Sequence, residues 1–513
     1  MEQLRGLMLD SARCLENRAY YRRAIEFAAM RGVNVVLWHF TDDQGCTLEF
    51  ESVPGIASAH AYSKAEMREL IALARGLGIT IVPEVASLGH SRYITRLPEY
   101  QQFDEVEDVF TGICPVASQT RAVLTKLIDE TCEVFDSPWI HVGLDEANIG
   151  HHPLTRQALQ TRSRGEIFAD HINFMHEQVQ RHGRTMMMWG DGLLADDGAR
   201  KRISREIVIC DWQYGARVDG QTTQQLLDDG FSVVLCPALI SHDQTLFPGD
   251  QLAVSNVRTT MQQLNRRGSG TGGGRVLGAI TTIWQPERYM HDALWMAIDL
   301  ATAFLREGAD VSVEQVTSRF ADEFYGLSPS DAWVQAVRQV YRLSPLRPQW
   351  LALLKMENLH LAGPAIAEKA RRWREILDVV AAAEDSVKAN RRAYHTFVLM
   401  IELVAHLYRK AVLLSGKKPA ATAEAKQIIE RERTLLAELD SVWDQERFAD
   451  DPKKFTAARS CFRENNLLAM FREMSLRSEA LVVSAASDGR ADGQGLELSL
   501  HLPRPAKSAL STS

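Results

Sequence analysis

Cysteine is scarce: seven of 513 residues, Cys14, Cys46, Cys114, Cys132, Cys210, Cys236 and Cys461, with no CxxC pair among them. An odd count without paired spacing offers neither a disulfide framework nor a zinc knuckle. Several of these thiols lie in apolar runs such as Ile207-Val208-Ile209-Cys210 and Val233-Val234-Leu235-Cys236. There a thiol packs as a small hydrophobe, which fits a reducing, cytoplasmic setting. No apolar run reaches the roughly 18 residues a membrane helix needs. The first residues carry Glu2, Arg5, Asp10 and Arg13 where a secretory signal would hold an unbroken apolar stretch, so no such signal is expected. Basic excess is lacking as well: 58 Lys+Arg against 66 Asp+Glu give a formal charge of −8. Nothing in that balance favours nucleic acid or anionic lipid as a partner. What is there, 45% hydrophobic and 24% charged residues, excludes disorder and collagen-like repeats. The length allows two domains, or one large barrel plus an addition.

Up to about residue 308 the chain repeats one theme, a short apolar run that ends in polar or aromatic residues and gives way to a helical stretch. The runs are 6–10, 33–40, 79–85, 139–146, 185–191, 207–212, 231–238 and 277–284. They are apolar on both faces, as buried parallel strands are. Between them lie helix signals such as the capping box Ser63-Lys64-Ala65-Glu66, which predicts a helix through Leu77. Eight strand–helix units predict an α/β fold of (β/α)8 barrel type. A doubly wound sheet is the rival, but no GxGxxG follows the first strand. The glycine-rich stretch 267–274 lacks the Lys-Ser/Thr of a phosphate loop and reads as a linker. Residues 309–482 are rich in Ala, Leu, Glu, Arg and Lys and read as an α-helical C-terminal domain, with 394–408 as a buried helix. The tail 483–513 is Ser, Gly, Pro and Asp-rich and is expected to be disordered.

In such a barrel the chemistry sits at the C-terminal ends of the strands. The unusual residues gather there: Asp10 and Arg13, His39 to Asp43, Glu84 to His90, Asp145-Glu146, Trp189-Gly190-Asp191, Trp212 and Trp284. The adjacent carboxylates of His141-Val142-Gly143-Leu144-Asp145-Glu146 repel one another, which raises the proton affinity of one. A protonated Glu146 beside an ionised Asp145 would be a general acid with an electrostatic helper. A helix N-cap is the alternative use of the same two residues. Trp189, Trp212 and Trp284 close three strands on one face, where indoles can cover the C–H patches of a sugar. Any one of them would also serve as rim packing.

These residues resemble glycoside hydrolase family 20, the β-N-acetylhexosaminidases. The matching segments are Arg5 to Arg13, Trp38 to Gly45, Pro83-Glu84-Val85 with Gly89-His90-Ser91, and His141 to Glu146, where Leu144 replaces a second Gly. The helical C-terminal region and Trp284-Gln285-Pro286-Glu287-Arg288-Tyr289 look most like the hexosaminidase D branch. The resemblance implies exo-acting, retaining hydrolysis of terminal β-GlcNAc or GalNAc from small glycans or glycoconjugates, with no cofactor or metal. The sugar's 2-acetamido oxygen would be the nucleophile, Glu146 the acid and base, and Asp145 the group that orients the acetamide. His90 with Asp43 would support Glu146. Arg5, Asp10, Trp189, Asp191, Trp212, Asp243, Trp284 and Glu287 would bind substrate, and a homodimer is expected. The chain departs from the family at strand seven, where Ile240-Ser241-His242-Asp243 has no tyrosine to hold the acetamide. That departure leaves open an exo-glycosidase for another hexosamine, glucosamine or a sulfated sugar, and a non-catalytic carbohydrate-binding barrel. A metal-dependent hydrolase is disfavoured, since His151-His152 are adjacent and poorly spaced for one ion.

Overall fold

Eight parallel strands close into a barrel in the computed structural model, which describes residues 2–105, 112–241, 243, 245–266, 271–362, 365–415, 422–448 and 466–487. The strands are β1 (Leu4–Asp10), β2 (Val35–His39), β3 (Thr80–Glu84), β4 (Trp139–His141), β5 (Thr185–Trp189), β6 (Val208–Trp212), β7 (Ser232–Cys236) and β8 (Val276–Ile283). Each pairs with its sequence neighbour, and β1 pairs with β8 to close the ring, Leu4 standing opposite Gly278. Closure needs a glycine there: Gly278 has φ 147°, and a Cβ would lie 2.1 Å from the Leu4 carbonyl oxygen.

Strand periodicity sorts the side chains. Met8, Leu37, Val82, Met187, Cys210, Val234 and Ile280 fill the barrel interior, while Leu7, Leu9, Val36, Ile81, Met188, Ile209 and Val233 join the core under the helices. Helices follow every strand. Lys64–Gly76 starts at the expected capping box, Ser63 with Glu66, and buries Met67, Leu70, Ile71 and Ala74 at helical spacing. The last barrel helix, Trp295–Glu307, is buried nearly all round and stops at Gly308, φ 93°.

Beyond it lie helices Val313–Tyr325, Asp331–Leu343, Arg347–Lys355, Ile366–Ala381, Arg391–Ser415, Thr422–Glu446 and Leu467–Ser487. The expected apolar helix at 394–408 lies within Arg391–Ser415, where Tyr394, Phe397, Met400, Ile401, Val404 and Tyr408 are buried. The final helix runs to Ser487, past the expected start of a disordered tail at 483, and 488–513 lie outside the described residues. So do 267–270 of the glycine-rich stretch. No helix among the described residues is long and apolar enough to cross a membrane.

Candidate active site

The alternation that fills the barrel also builds the site. Two residues beyond inward-facing Met8, Leu37, Val82, Met187 and Cys210 stand Asp10, His39, Glu84, Trp189 and Trp212, at the C-terminal ends of their strands. Glu84 is the buried hub. It accepts from His39 Nδ1 at 2.7 Å and from the Trp189 indole N–H at 2.7 Å, with His141 Nδ1 at 3.5 Å. Burial alone would raise the Glu84 carboxyl, but His39 and His141 outweigh it and hold it down at about 2. Burial likewise opposes charge on His39, yet Glu84 and Asp42 lift it to about 10. The pair is therefore a charged, buried anchor rather than a titrating device.

A short hairpin after β2, Thr41–Asp42 with Gly45–Cys46, adds the next ring. Asp42 accepts from His39 Nε2 at 2.8 Å and from Arg13 Nη2 at 2.8 Å. Arg13 also donates to Asp10 at 2.8 Å and lies over the Trp284 ring, 5.0 Å from its centroid. His90, in the loop after β3, completes a chain. Its Nδ1 lies 3.5 Å from both Asp42 and Asp43, and its Nε2 lies 3.6 Å from Asp145 and 3.2 Å from Glu146. Burial works against its charge, but Asp42 and Asp145 raise His90 well above an ordinary histidine. It stands as an imidazolium between two pairs of carboxylates.

Asp145 and Glu146 occupy a loop that needs unusual backbone: φ is 67° at Gly143, 79° at Leu144 and 48° at Glu146. Leu144 thus adopts the left-handed conformation that most often takes glycine, held there by a fully buried side chain. The loop after β3 packs so closely that a Cβ on Gly89 would lie 2.0 Å from the Asp145 carbonyl oxygen. Asp191, at the end of β5, accepts from the Glu146 N–H at 3.0 Å and from the Trp212 indole at 3.2 Å.

The two adjacent carboxyls titrate opposite to the sequence expectation. Burial raises Asp145 to about 7, with Asp191, Glu84 and Glu146 adding to it against His90. Glu146, its side chain 48% exposed, is lowered by its hydrogen bond to His90. The proton sits more readily on Asp145 than on Glu146.

The aromatic wall differs in detail. Trp189 is fully buried and forms the floor, 5.8 Å from Trp284 centroid to centroid. Trp212 and Trp284 are partly exposed. Between them stands Tyr214, tilted at 34° against Trp212 with ring centroids 4.9 Å apart and accepting the Trp284 indole N–H at 2.7 Å.

Most site residues read from the sequence converge here, and one does not. Arg5 lies at the start of β1, the opposite mouth from Asp10, where it donates to Gly32 O and pairs with Glu2. Five residues along a strand are about 16 Å, too far for one sugar site. Arg13 holds the position assigned to it. Asp243 accepts the N–H of Arg347, in the helical region, through its backbone carbonyl. Glu287 is buried beside Asp10, Arg13 and Arg288, and burial raises it to about 7. The sequence placed Asp42, His39, Glu84 and Arg13 at the strand ends without giving them a role in the site, and it missed Tyr214. Period-two alternation could have found Tyr214, which follows Trp212 by two as His39 follows Leu37.

Among the described residues, Asp42, Asp43 and His90 form one group close enough to share an ion. Asp42 already meets Arg13 and His39, so the donors are committed to cations of the chain itself.

The model of glycosyl hydrolase family 20, catalytic domain, matches residues 3–284. The chain belongs to glycosyl hydrolase family 20. The matched residues are the barrel just described, so the charged layer at the strand ends lies in the family's catalytic domain. Beta-hexosaminidase of Vibrio furnissii is 26% identical over 276 residues, 46% of this chain and 43% of that protein. Hexosaminidase D of Bos taurus is 26% identical over 253 residues, 46% of this chain and 71% of that protein. The chain spans less than half the length of the Vibrio relative. A solved chitobiase from Flavobacterium johnsoniae shares the fold, with TM-score 0.51 at 17% identity over 83% of this chain and 74% of that one.

Proposed function

We propose that this family 20 barrel removes terminal β-linked N-acetylhexosamine from small glycans, acting from the chain end, with retention and with the substrate's acetamide as nucleophile. The observation that carries the reading is the shared imidazolium: Asp145 and Glu146 meet the same His90 nitrogen at 3.6 and 3.2 Å. Both carboxyls come from adjacent positions of one loop and are held to one imidazolium. A retaining pair working by a protein nucleophile needs its carboxyls across the glycosidic bond, about 5–5.5 Å apart. An intramolecular acetamide removes that need, and proximity makes it a strong nucleophile.

In this mechanism the sugar covers the pocket and desolvates Glu146, which favours its protonated form and fits it to donate to the leaving oxygen. His90 and the Asp42–Asp43 pair take up the charge changes as Glu146 gives its proton and later accepts one from water. The positive charge developing on the cyclising acetamide sits beside Asp145 and favours its anion, reversing the order of proton affinities that burial and His90 set. Tyr214 supplies what strand seven lacks. Its phenol is kept protonated by burial, with the charge of Asp145 among the lesser causes, and its oxygen accepts from Trp284. The hydroxyl proton then serves the acetamide oxygen. Arg13, Asp10 and Glu287 would take sugar hydroxyls, and Trp212 and Trp284 the ring's apolar face, with Trp189 buried beneath them.

Paired aryl β-GlcNAc, β-GalNAc, β-glucosaminide and β-glucoside substrates test the reading, together with a thiazoline that mimics the cyclised intermediate. Turnover of the N-acetylated sugars, orders of magnitude above the glucoside, with thiazoline inhibition tighter than by product, is expected. Equal rates on glucoside and N-acetylhexosaminide without thiazoline inhibition would sink the mechanism.

A further inference from the structure

The helical region reaches the pocket from behind through Glu446 and Arg447. Glu446 ends helix Thr422–Glu446, and its carboxylate accepts the backbone N–H groups of His291 and Asp292, each at 2.9 Å. Arg447 has a fully buried side chain. It donates through Nη2 to Pro286 O at 2.7 Å and Tyr289 O at 2.6 Å, and lies 3.7 Å from Glu16. A guanidinium is removed from water only where such partners replace its hydration.

The carbonyls it holds belong to the turn that follows β8. That turn opens at Gln285, a non-glycine residue with φ 61°, whose N–H is bound by Asp10 at 3.0 Å. Strained backbone of this kind persists only where the surroundings fix it from several sides. Asp10 fixes it from the barrel, and Glu446 with Arg447 from the helices. On either side of the strained residue stand Trp284 and Glu287, the residues that face Arg13 and Asp10.

We infer that Glu446 and Arg447 are positioning residues for the sugar pocket, setting the place of Trp284 and Glu287. The inference rests on the reading of that pocket as the sugar site. Arg447→Ala, Arg447→Lys and Glu446→Gln in the full chain test it. Lys410→Met is the control, since Lys410 is buried against Glu432 between helices and touches no part of the pocket. Arg447→Ala should raise KM for an aryl β-N-acetylglucosaminide by about tenfold, a displacement effect of modest size. Amide hydrogen exchange should rise across 285–292 but not across β6, and Arg447→Lys should recover part of both. Lys410→Met should leave KM and the exchange of 285–292 unchanged even where its melting point falls. If Arg447→Ala does not fold, Glu446→Gln, nearly isosteric, gives the same two readings. Unchanged KM and unchanged protection of the turn, or the same KM rise in Lys410→Met, overturns the assignment. A wild type inactive on every N-acetylhexosaminide refutes the sugar reading instead, and exchange at 285–292 then decides the positioning role alone.

Discussion

Asp145 and Glu146 are neighbours in sequence, yet burial lifts one while a histidine hydrogen bond lowers the other. The mechanism needs Asp145 ionised, so the acid limb of kcat/KM should follow its titration near neutrality. Asp191→Asn removes a negative charge that raises Asp145 and keeps an acceptor for the Glu146 N–H. The limb should move to lower pH in that variant, and a pH–rate profile unmoved by Asp191→Asn would detach the limb from Asp145. The same shift has a stability sign. A carboxyl raised on folding binds more protons in the native state, so its contribution falls as pH rises from about 4 to about 7 and stays low above. Asp145→Asn should therefore raise the melting point at pH 8 and leave it nearly unchanged at pH 4, while turnover collapses. Tyr214→Phe deletes one hydroxyl and should cost about 10- to 100-fold in kcat for N-acetylated substrates, the range for one preorganised donor. An unchanged kcat would remove Tyr214 from the acetamide site. At this scale the sequence announced charge and aromaticity but not proton order, because burial and the His90 contacts come from loops 50 residues apart.

Strand polarity and period decide which residues of a motif can work together. The eight runs were legible because parallel barrel strands are buried on both faces and each is closed by a helix signal. Within one motif, Arg5 and Asp10 stand at opposite mouths, a separation that the letters conceal and a rise of about 3.3 Å per residue makes plain. Loops are harder to read. The close pass of the loop after β3 against the loop after β4 shows only as glycines, Gly89 against the Asp145 carbonyl and Gly143 against Ala86. Gly89→Ala should push Asp145 and His90 apart, lowering kcat/KM by about 100-fold while far-ultraviolet circular dichroism stays native. Native activity in that variant would show that the two loops yield without consequence.

Barrel and helical region share one apolar core, and that continuity could not be read from the chain. The amphipathic helices announced a buried face without saying whether barrel or second copy covers it. Contacts such as Arg447 with Tyr289, 158 residues apart, have no local signature. The structure places Phe320 and Phe324 of the helical region against Phe27 and Trp295, with centroids 5.6–6.3 Å apart. That explains why Trp295–Glu307 is apolar nearly all round. A chain ending at Gly308 would expose these rings and lose the brace behind the β8 turn. Burying one such side chain stabilises by about 1.5–3 kcal/mol, against a total of about 5–15 kcal/mol for a typical domain. Exposing four or more therefore cancels most of the margin. The shortened chain should aggregate, or show helical far-ultraviolet dichroism without the near-ultraviolet signal of fixed aromatics, and should not turn over substrate. A soluble 1–308 fragment that melts cooperatively and keeps the full chain's kcat/KM would show instead that the helical region is an independent passenger, with no hold on the barrel or its pocket.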